Sequence, residues 1–148
     1  MFRGINAITV DNKGRMAMPV RYRDSLESSL VVTIDTEETC LLLYPALEWQ
    51  RIETSLQKLP SFNAQARRIQ RLLIGHATDV EMDGQGRILL PLELRQYAQL
   101  QKQAFLIGQG NKFEIWDEER WQKKRDEWLL EESRHQDEMP DEMKTFSL

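Results

Sequence analysis

The sequence predicts an α+β fold built from two tandem copies of one small hairpin unit with short helices, joined by a helical connector. Three observations carry this expectation. The stretch "DNKGR" at 11–15 returns as "DGQGR" at 83–87, an interval of 72 residues. The flanking segments "ITVDNKGRMAMPVRYR" (8–23) and "VEMDGQGRILLPLELR" (80–95) align without a gap. Each copy has roughly 45 residues, too few to bury a core alone, and its strand edges need pairing. Interleaving the hairpins of both copies meets that need and explains the duplication.

Identities fall at Asp11/Asp83, Gly14/Gly86, Arg15/Arg87, Pro19/Pro91 and Arg23/Arg95. The same interval sets Tyr44 on Trp116 and Trp49 on Trp121. Self-similarity on this scale marks a repeated structural unit.

Each copy opens with a short strand, "AITV" or "TDVEM", that enters the D-x-x-G turn. Gly14 and Gly86 stand where a positive φ is needed, and Asp11 and Asp83 can accept hydrogen bonds from the turn's own N–H groups. These four are the turn formers. A second strand follows, "RMAM" or "RILL". Pro19 and Pro91 then fit the first position of a helix, where a missing N–H is harmless. Two further strands come next: "LVVTI" and "CLLLY" in the first copy, "AFLI" and "KFEIW" in the second. Their turns are "DTEET" and "GQGN". Closing helices start near Pro45 and Asp117. Between the copies, Asn63 is placed to cap a connector helix reaching about Ile74. Ile69, Leu72 and Leu73 form its apolar stripe, and Arg67, Arg68 and Arg71 its polar one. The expected boundaries are 5–47 and 77–120 for the two units, 48–76 for the connector and 121–148 for a C-terminal helix and acidic tail.

Charge is unevenly spread. The chain has 20 basic and 24 acidic residues, a net charge of −4. Residues 1–23 nevertheless carry Arg3, Lys13, Arg15, Arg21 and Arg23 against Asp11 alone, while residues 117–148 are strongly acidic. Head and tail can therefore face different partners. No apolar run is long enough for a membrane helix, and the first thirty residues lack a signal-peptide core. Cys40, the single cysteine, reads as a buried strand thiol. A reducing cytoplasm fits these features.

The tandem D-x-x-G-R units, the start "MFRG", the segment "CLLLYP" and the stretch "RRIQRLLIGHATDVEMDGQGRILLP" closely resemble the MraZ family. These are bacterial transcriptional regulators built from two swapped-hairpin β-barrel units of the SpoVT–AbrB type. The resemblance reaches from residue 1 to about residue 125. It implies a cytoplasmic, nucleoid-associated protein that binds double-stranded DNA and assembles as a ring-shaped homo-oligomer. It further implies a target of short direct repeats upstream of the protein's own gene, at the head of a division and cell-wall operon that it mainly represses.

The turns have the chemistry for such a task. Each sets an arginine, Arg15 or Arg87, beside a projecting tip, and arginine is the usual bidentate partner of guanine O6 and N7 in a groove that admits a two-stranded ribbon. Lys13 adds a phosphate contact, and Arg3 offers another from the neighbouring strand. Gln85 replaces Lys13 in the second turn, so the first copy is the stronger candidate. Asp11 and Asp83 would repel phosphate if they pointed outward, which makes them turn formers, with a salt bridge to the arginine as a further role. The plain structural alternative is a hairpin in which Arg15 only pairs with Asp11.

Other features weigh less. Arg67, Arg68 and Arg71 match a solvated helix face; Arg23 and Arg95 read as structural. Trp49, Trp121, Tyr44 and Trp116 read as core covers, and Trp128 as covering core or a neighbouring subunit. His76 and His135 lack metal-ligand spacing. No nucleophile elbow, P-loop or dinucleotide fingerprint is present, so no enzyme, cofactor, metal or small-molecule substrate is expected. The competing function is a protein-binding module, antitoxin-like or an assembly partner, acting through the acidic region 117–148.

Overall fold

A computed structural model describes residues 1–134 and residue 143. Residues 1–118 form one compact unit, and the chain from Glu119 forms a second. In chain order the first unit runs β1 (Phe2–Thr9), β2 (Arg15–Ala17), α1 (Val20–Arg23), β3 (Ser29–Ile34), β4 (Leu41–Pro45), α2 (Ala46–Gln57) and α3 (Ala64–Leu73). It continues through β5 (Thr78–Glu81), β6 (Arg87–Leu89), α4 (Leu92–Tyr97), β7 (Gln103–Gly110) and β8 (Phe113–Asp117). The second unit carries α5 (Glu118–Arg134), on which Trp121 and Trp128 meet edge to face at 6.1 Å. His135 and the acidic tail beyond Arg134, Met143 aside, fall outside the described residues.

The copies interleave. An antiparallel six-stranded sheet has the order β1-β7-β8-β4-β3-β5, and β2 pairs with β6 in a separate two-stranded ribbon. Only β3–β4 and β7–β8 pair within a copy; β1–β7, β4–β8, β3–β5 and β2–β6 all join one copy to the other. Neither sheet closes into a barrel. The six-stranded sheet ends at β1 and β5, and β2 and β6 form a ladder only with each other.

Interleaving also alters the expected turn. The strands around Asp11–Arg15 are not a regular hairpin: a single bridge, Val10 with Met16, closes the turn. Beyond it β1 leaves for the large sheet and β2 for the ribbon, because both find their ladder partners in the other copy. The "GQG" at 108–110 is strand, not turn, since β1 runs long enough to pair Phe2 with Gly110. A Cβ at Gly108 would lie 2.5 Å from the Arg3 backbone nitrogen, so only glycine allows that approach. Pro19 and Pro91 sit one residue before their helices, as extended N-caps with φ of −54° and −58°. Asn63 caps α3 as its position suggests, accepting from Ala66 N–H at 3.0 Å.

Strands β3 and β4 are buried on both faces, which explains their unbroken apolar runs. Leu30, Val32, Ile34, Leu41 and Leu43 face the main core with Met16, Met18, Ile88, Leu90, Phe113 and Ile115. Val31, Leu42 and Tyr44 face the other way, onto Trp49 of α2, with Leu73 and Ile74 beside them. Thr33, fully buried on that side, donates its hydroxyl to the Leu73 carbonyl at 2.7 Å. Arg67, Arg68 and Arg71 of α3 stay exposed.

One aromatic stack ties three elements of the main core together. Phe113 on β8 stacks on Phe2 of β1 at 4.4 Å and meets Tyr22 of α1 edge-on at 4.9 Å. Phe113→Ala should lower the unfolding free energy by about 3–5 kcal/mol, the usual cost of deleting a buried phenyl ring. Urea unfolding would measure it, and a loss under about 1 kcal/mol would mean the stack does not hold β1 to the sheet.

Candidate nucleic-acid interface

The two D-x-x-G-R turns share one geometry. Asp11 Oδ1 accepts from the backbone N–H of Lys13 and of Arg15, both at 2.9 Å. Asp83 Oδ1 accepts from Gln85 and Arg87 N–H at the same distance. Asp11 N–H bonds to the Arg15 carbonyl and Gly14 N–H to the Asp11 carbonyl, with Asp83, Arg87 and Gly86 repeating the pattern. Gly14 and Gly86 take φ of 89° and 77°, a region that L side chains rarely adopt.

The second carboxylate oxygen holds the arginine. Arg15 Nε donates to Asp11 Oδ2 at 2.8 Å, and Arg87 Nε to Asp83 Oδ2 at 3.1 Å. Each aspartate thus spends both carboxylate oxygens within its own turn, although the side chains stay partly exposed. Backbone N–H bonds from Arg15 and Arg87, more than the ion pairs, hold both carboxyls below their ordinary value. Each pair engages Nε alone, and no protein acceptor among the described residues takes the Nη edge that reads guanine.

Pairing of β2 with β6 brings the turns together. Arg15 lies opposite Leu89, Met16 opposite Ile88 and Ala17 opposite Arg87. Met16 and Ile88 are equivalent positions of the two copies, so the ribbon has a pseudo-two-fold axis through that pair. Both point into the core at 1% exposure. Their neighbours Arg15, Ala17, Arg87 and Leu89 therefore share the outer face. The two arginines are diagonal neighbours there, a spacing of roughly 7–8 Å between backbones. Lys13 and Gln85 are exposed at the turns themselves.

Arg3 does not join this group. It lies at the far end of β1 from the turn, roughly 25 Å of extended strand away. Its carbonyl accepts from Arg21 Nη2 at 3.1 Å and from the Tyr22 hydroxyl.

Sequence reasoning named Arg23 and Arg95 as structural without seeing what they touch. Arg95 lies against Gly14, where a Cβ would come within 2.5–2.8 Å of its Nε, Cζ and Nη2. Arg23 lies against Gly86 in the same way, at 2.2–2.7 Å from Nε, Cζ and Cδ. Leu89, 55% exposed beside Arg15, was also missed, because only the strand register reveals its neighbour.

A second grouping had no sequence signal. Ligand-type atoms of Asp35, Cys40 and Glu114 lie within 4.8 Å of one another. Internal bonds account for them: the Cys40 thiol donates to Asp35 Oδ2 at 3.6 Å, and Glu114 accepts from Trp116 Nε1 at 2.8 Å. Burial pushes the thiol far up, so it is a proton donor there and not a thiolate.

Comparison with known proteins decides the family. The family model described as "MraZ protein, putative antitoxin-like" matches twice, over residues 1–72 and 73–142. The chain belongs to the MraZ family. It is 67% identical to the transcriptional regulator MraZ of Legionella pneumophila strain Corby over the full length of both chains. It is 54% identical to that of Coxiella burnetii strain Dugway, again over both full lengths. For Thioalkalivibrio sulfidiphilus MraZ the identity is 59%, covering 89% of this chain and 90% of the relative. MraZ proteins are named as regulators of transcription, not enzymes. Among the described residues, no helix is long and apolar enough to cross a membrane.

The turn carboxylates give a pH dependence with a definite sign. Both are lowered from 3.8, so their stabilising effect is complete above that value and lost as pH falls through the depressed folded-state range. Asp11→Asn with Asp83→Asn should remove this proton-linked part of the acid limb. The double variant should lose less urea resistance than the parent as pH falls below about 4. Parallel stability curves would show that the turns do not titrate with folding.

Proposed function

We propose that this chain is a transcriptional regulator that binds double-stranded DNA through the outer face of the β2–β6 ribbon. The supporting observation is the register that sets Arg15 and Arg87 on one exposed face, each Nε anchored by its turn aspartate. An anchored guanidinium loses less freedom when it docks, which favours a bidentate contact with a guanine edge. Lys13, exposed at the first turn, supplies a phosphate contact that fixes orientation. Arg3, at the far end of β1, would need a separate stretch of backbone.

The pseudo-two-fold axis of the ribbon is broken where it matters for reading. Asn12 and Lys13 answer to Gly84 and Gln85, and Ala17 to Leu89. A face of this kind has a direction along the duplex, which suits direct repeats better than palindromes. Several copies joined head to tail in a ring would present that direction repeatedly, and linkage would reinforce a weak single contact. The target we propose is a set of direct repeats upstream of the protein's own gene, bound in the cytoplasmic nucleoid to repress a division and cell-wall operon.

A gel shift with that upstream DNA tests the reading. Arg15→Ala should cost about 1–3 kcal/mol per site and abolish specific binding while fold and assembly persist. Wild-type affinity in the folded variant would refute the interface.

Spacing tests the repeated geometry. Inserting about 5 base pairs between adjacent repeats turns one site to the far side of the duplex and should sharply weaken binding. Unchanged footprints after the insertion would exclude reading by consecutive subunits of a ring.

A further inference from the structure

Arg23 and Arg95 occupy equivalent positions in the two copies, and each works across the ribbon. Arg95 sits on α4 of the second copy, yet its guanidinium covers Gly14 of the first copy's turn. Near-equal distances from the would-be Gly14 Cβ to Nε, Cζ and Nη2 set the guanidinium plane face-on to that Cα. Its Nε donates to the Leu90 carbonyl at 2.9 Å, and Leu90 N–H donates to the Gly14 carbonyl at 2.8 Å. The Gly14–Arg15 peptide is thus held at three points. Leu90 fixes its oxygen, Asp11 fixes its N–H, and Arg95 closes the face above Gly14. The mirror arrangement serves the second turn. Arg23 Nε donates to the Met18 carbonyl at 2.7 Å, Met18 N–H donates to the Gly86 carbonyl at 2.8 Å, and the Arg23 guanidinium covers Gly86.

We propose that Arg95 and Arg23 are crossed positioning residues for DNA reading: Arg95 of the second copy sets Arg15, and Arg23 of the first copy sets Arg87. This deepens the DNA-binding reading and rests on it. The glycine before each reading arginine is then required twice, for its positive φ and for the guanidinium lying on it. Loss of Arg95 opens space against Gly14 and releases one side of the peptide that leads into Arg15. Loss of Arg23 does the same at Arg87 and leaves the first turn intact.

The test is a double-mutant cycle on the full-length protein, with labelled duplex from upstream of its own gene. It is run at salt low enough for the preference of Arg15→Ala for that duplex over unrelated DNA to be measurable, and that preference is the quantity compared. Arg95→Gln should weaken specific binding roughly tenfold and add little once Arg15→Ala is present, as for coupled groups. Arg23→Gln combined with Arg15→Ala should instead give the full product of the two single effects. Additive losses for Arg95→Gln and Arg15→Ala would overturn the proposal. If the salt slope also falls by about one, Arg95 touches phosphate itself. Coupling of Arg95 to Arg87 in place of Arg15 would overturn it as well. Should Arg95→Gln fail to fold, Arg95→Lys keeps the charge but has no planar group to lay on Gly14. It should show the same coupling, and wild-type affinity in that variant would refute the role. If Arg15→Ala alone leaves specific binding intact, the DNA-binding reading falls, a result distinct from any of these.

Discussion

Three residue pairs between β2 and β6 organise the outward face of this molecule. Without the Met16–Ile88 pair at their centre, the turns would have no fixed relation, and Arg15 and Arg87 would be two unconnected surface charges. The pair sits at the pseudo-two-fold axis with both side chains in the core, so core packing sets the spacing of the arginines. A rigid strand platform of this sort holds functional groups more accurately than a loop does. The short length of the ribbon also matters, since the flanking strands can leave it at once for the large sheet.

Electrostatics on that platform is local. A net charge of −4 says little when the acidic groups nearest the arginines are occupied within their own turns. Asp11 and Asp83 each spend one oxygen on backbone N–H groups and the other on a guanidinium Nε. They shape the turn and orient the arginine with both oxygens engaged. The ion pairs themselves are half exposed, so their contribution to stability is small. Their value lies in orientation.

Much of this was readable from sequence because the signals were short-range. The D-x-x-G-R turn, its glycine conformation and the Asn63 cap depend on residues within four positions of one another. The repeat interval revealed that two such units exist and that they interleave. Which strand pairs with which was not readable, since β1–β7 and β2–β6 join residues far apart in sequence. The strand misreadings follow from that. The "GQG" segment was mistaken for a turn because nothing local announces β1 as its partner. A regular hairpin was expected because the divergence of β1 and β2 into different sheets has no local signature. Arg23 and Arg95 were recognised as structural, but the glycines they cover belong to the opposite copy.

The interleaving has a consequence for how the chain matures during synthesis. Phe2 finds its strand partner at Gly110, so the second residue made waits for nearly all of the first compact unit to emerge. Until then β1, β3 and β4 present open edges and apolar side chains at the ribosome exit. Growing chains usually fold domain by domain from the N-terminus; here that order is unavailable, because the first copy has no complete core of its own. The long-range pairings also predict slow folding relative to a helical protein of equal size. Such a nascent chain carries unpaired strand edges and apolar side chains together, the features that make incompletely folded chains prone to aggregate.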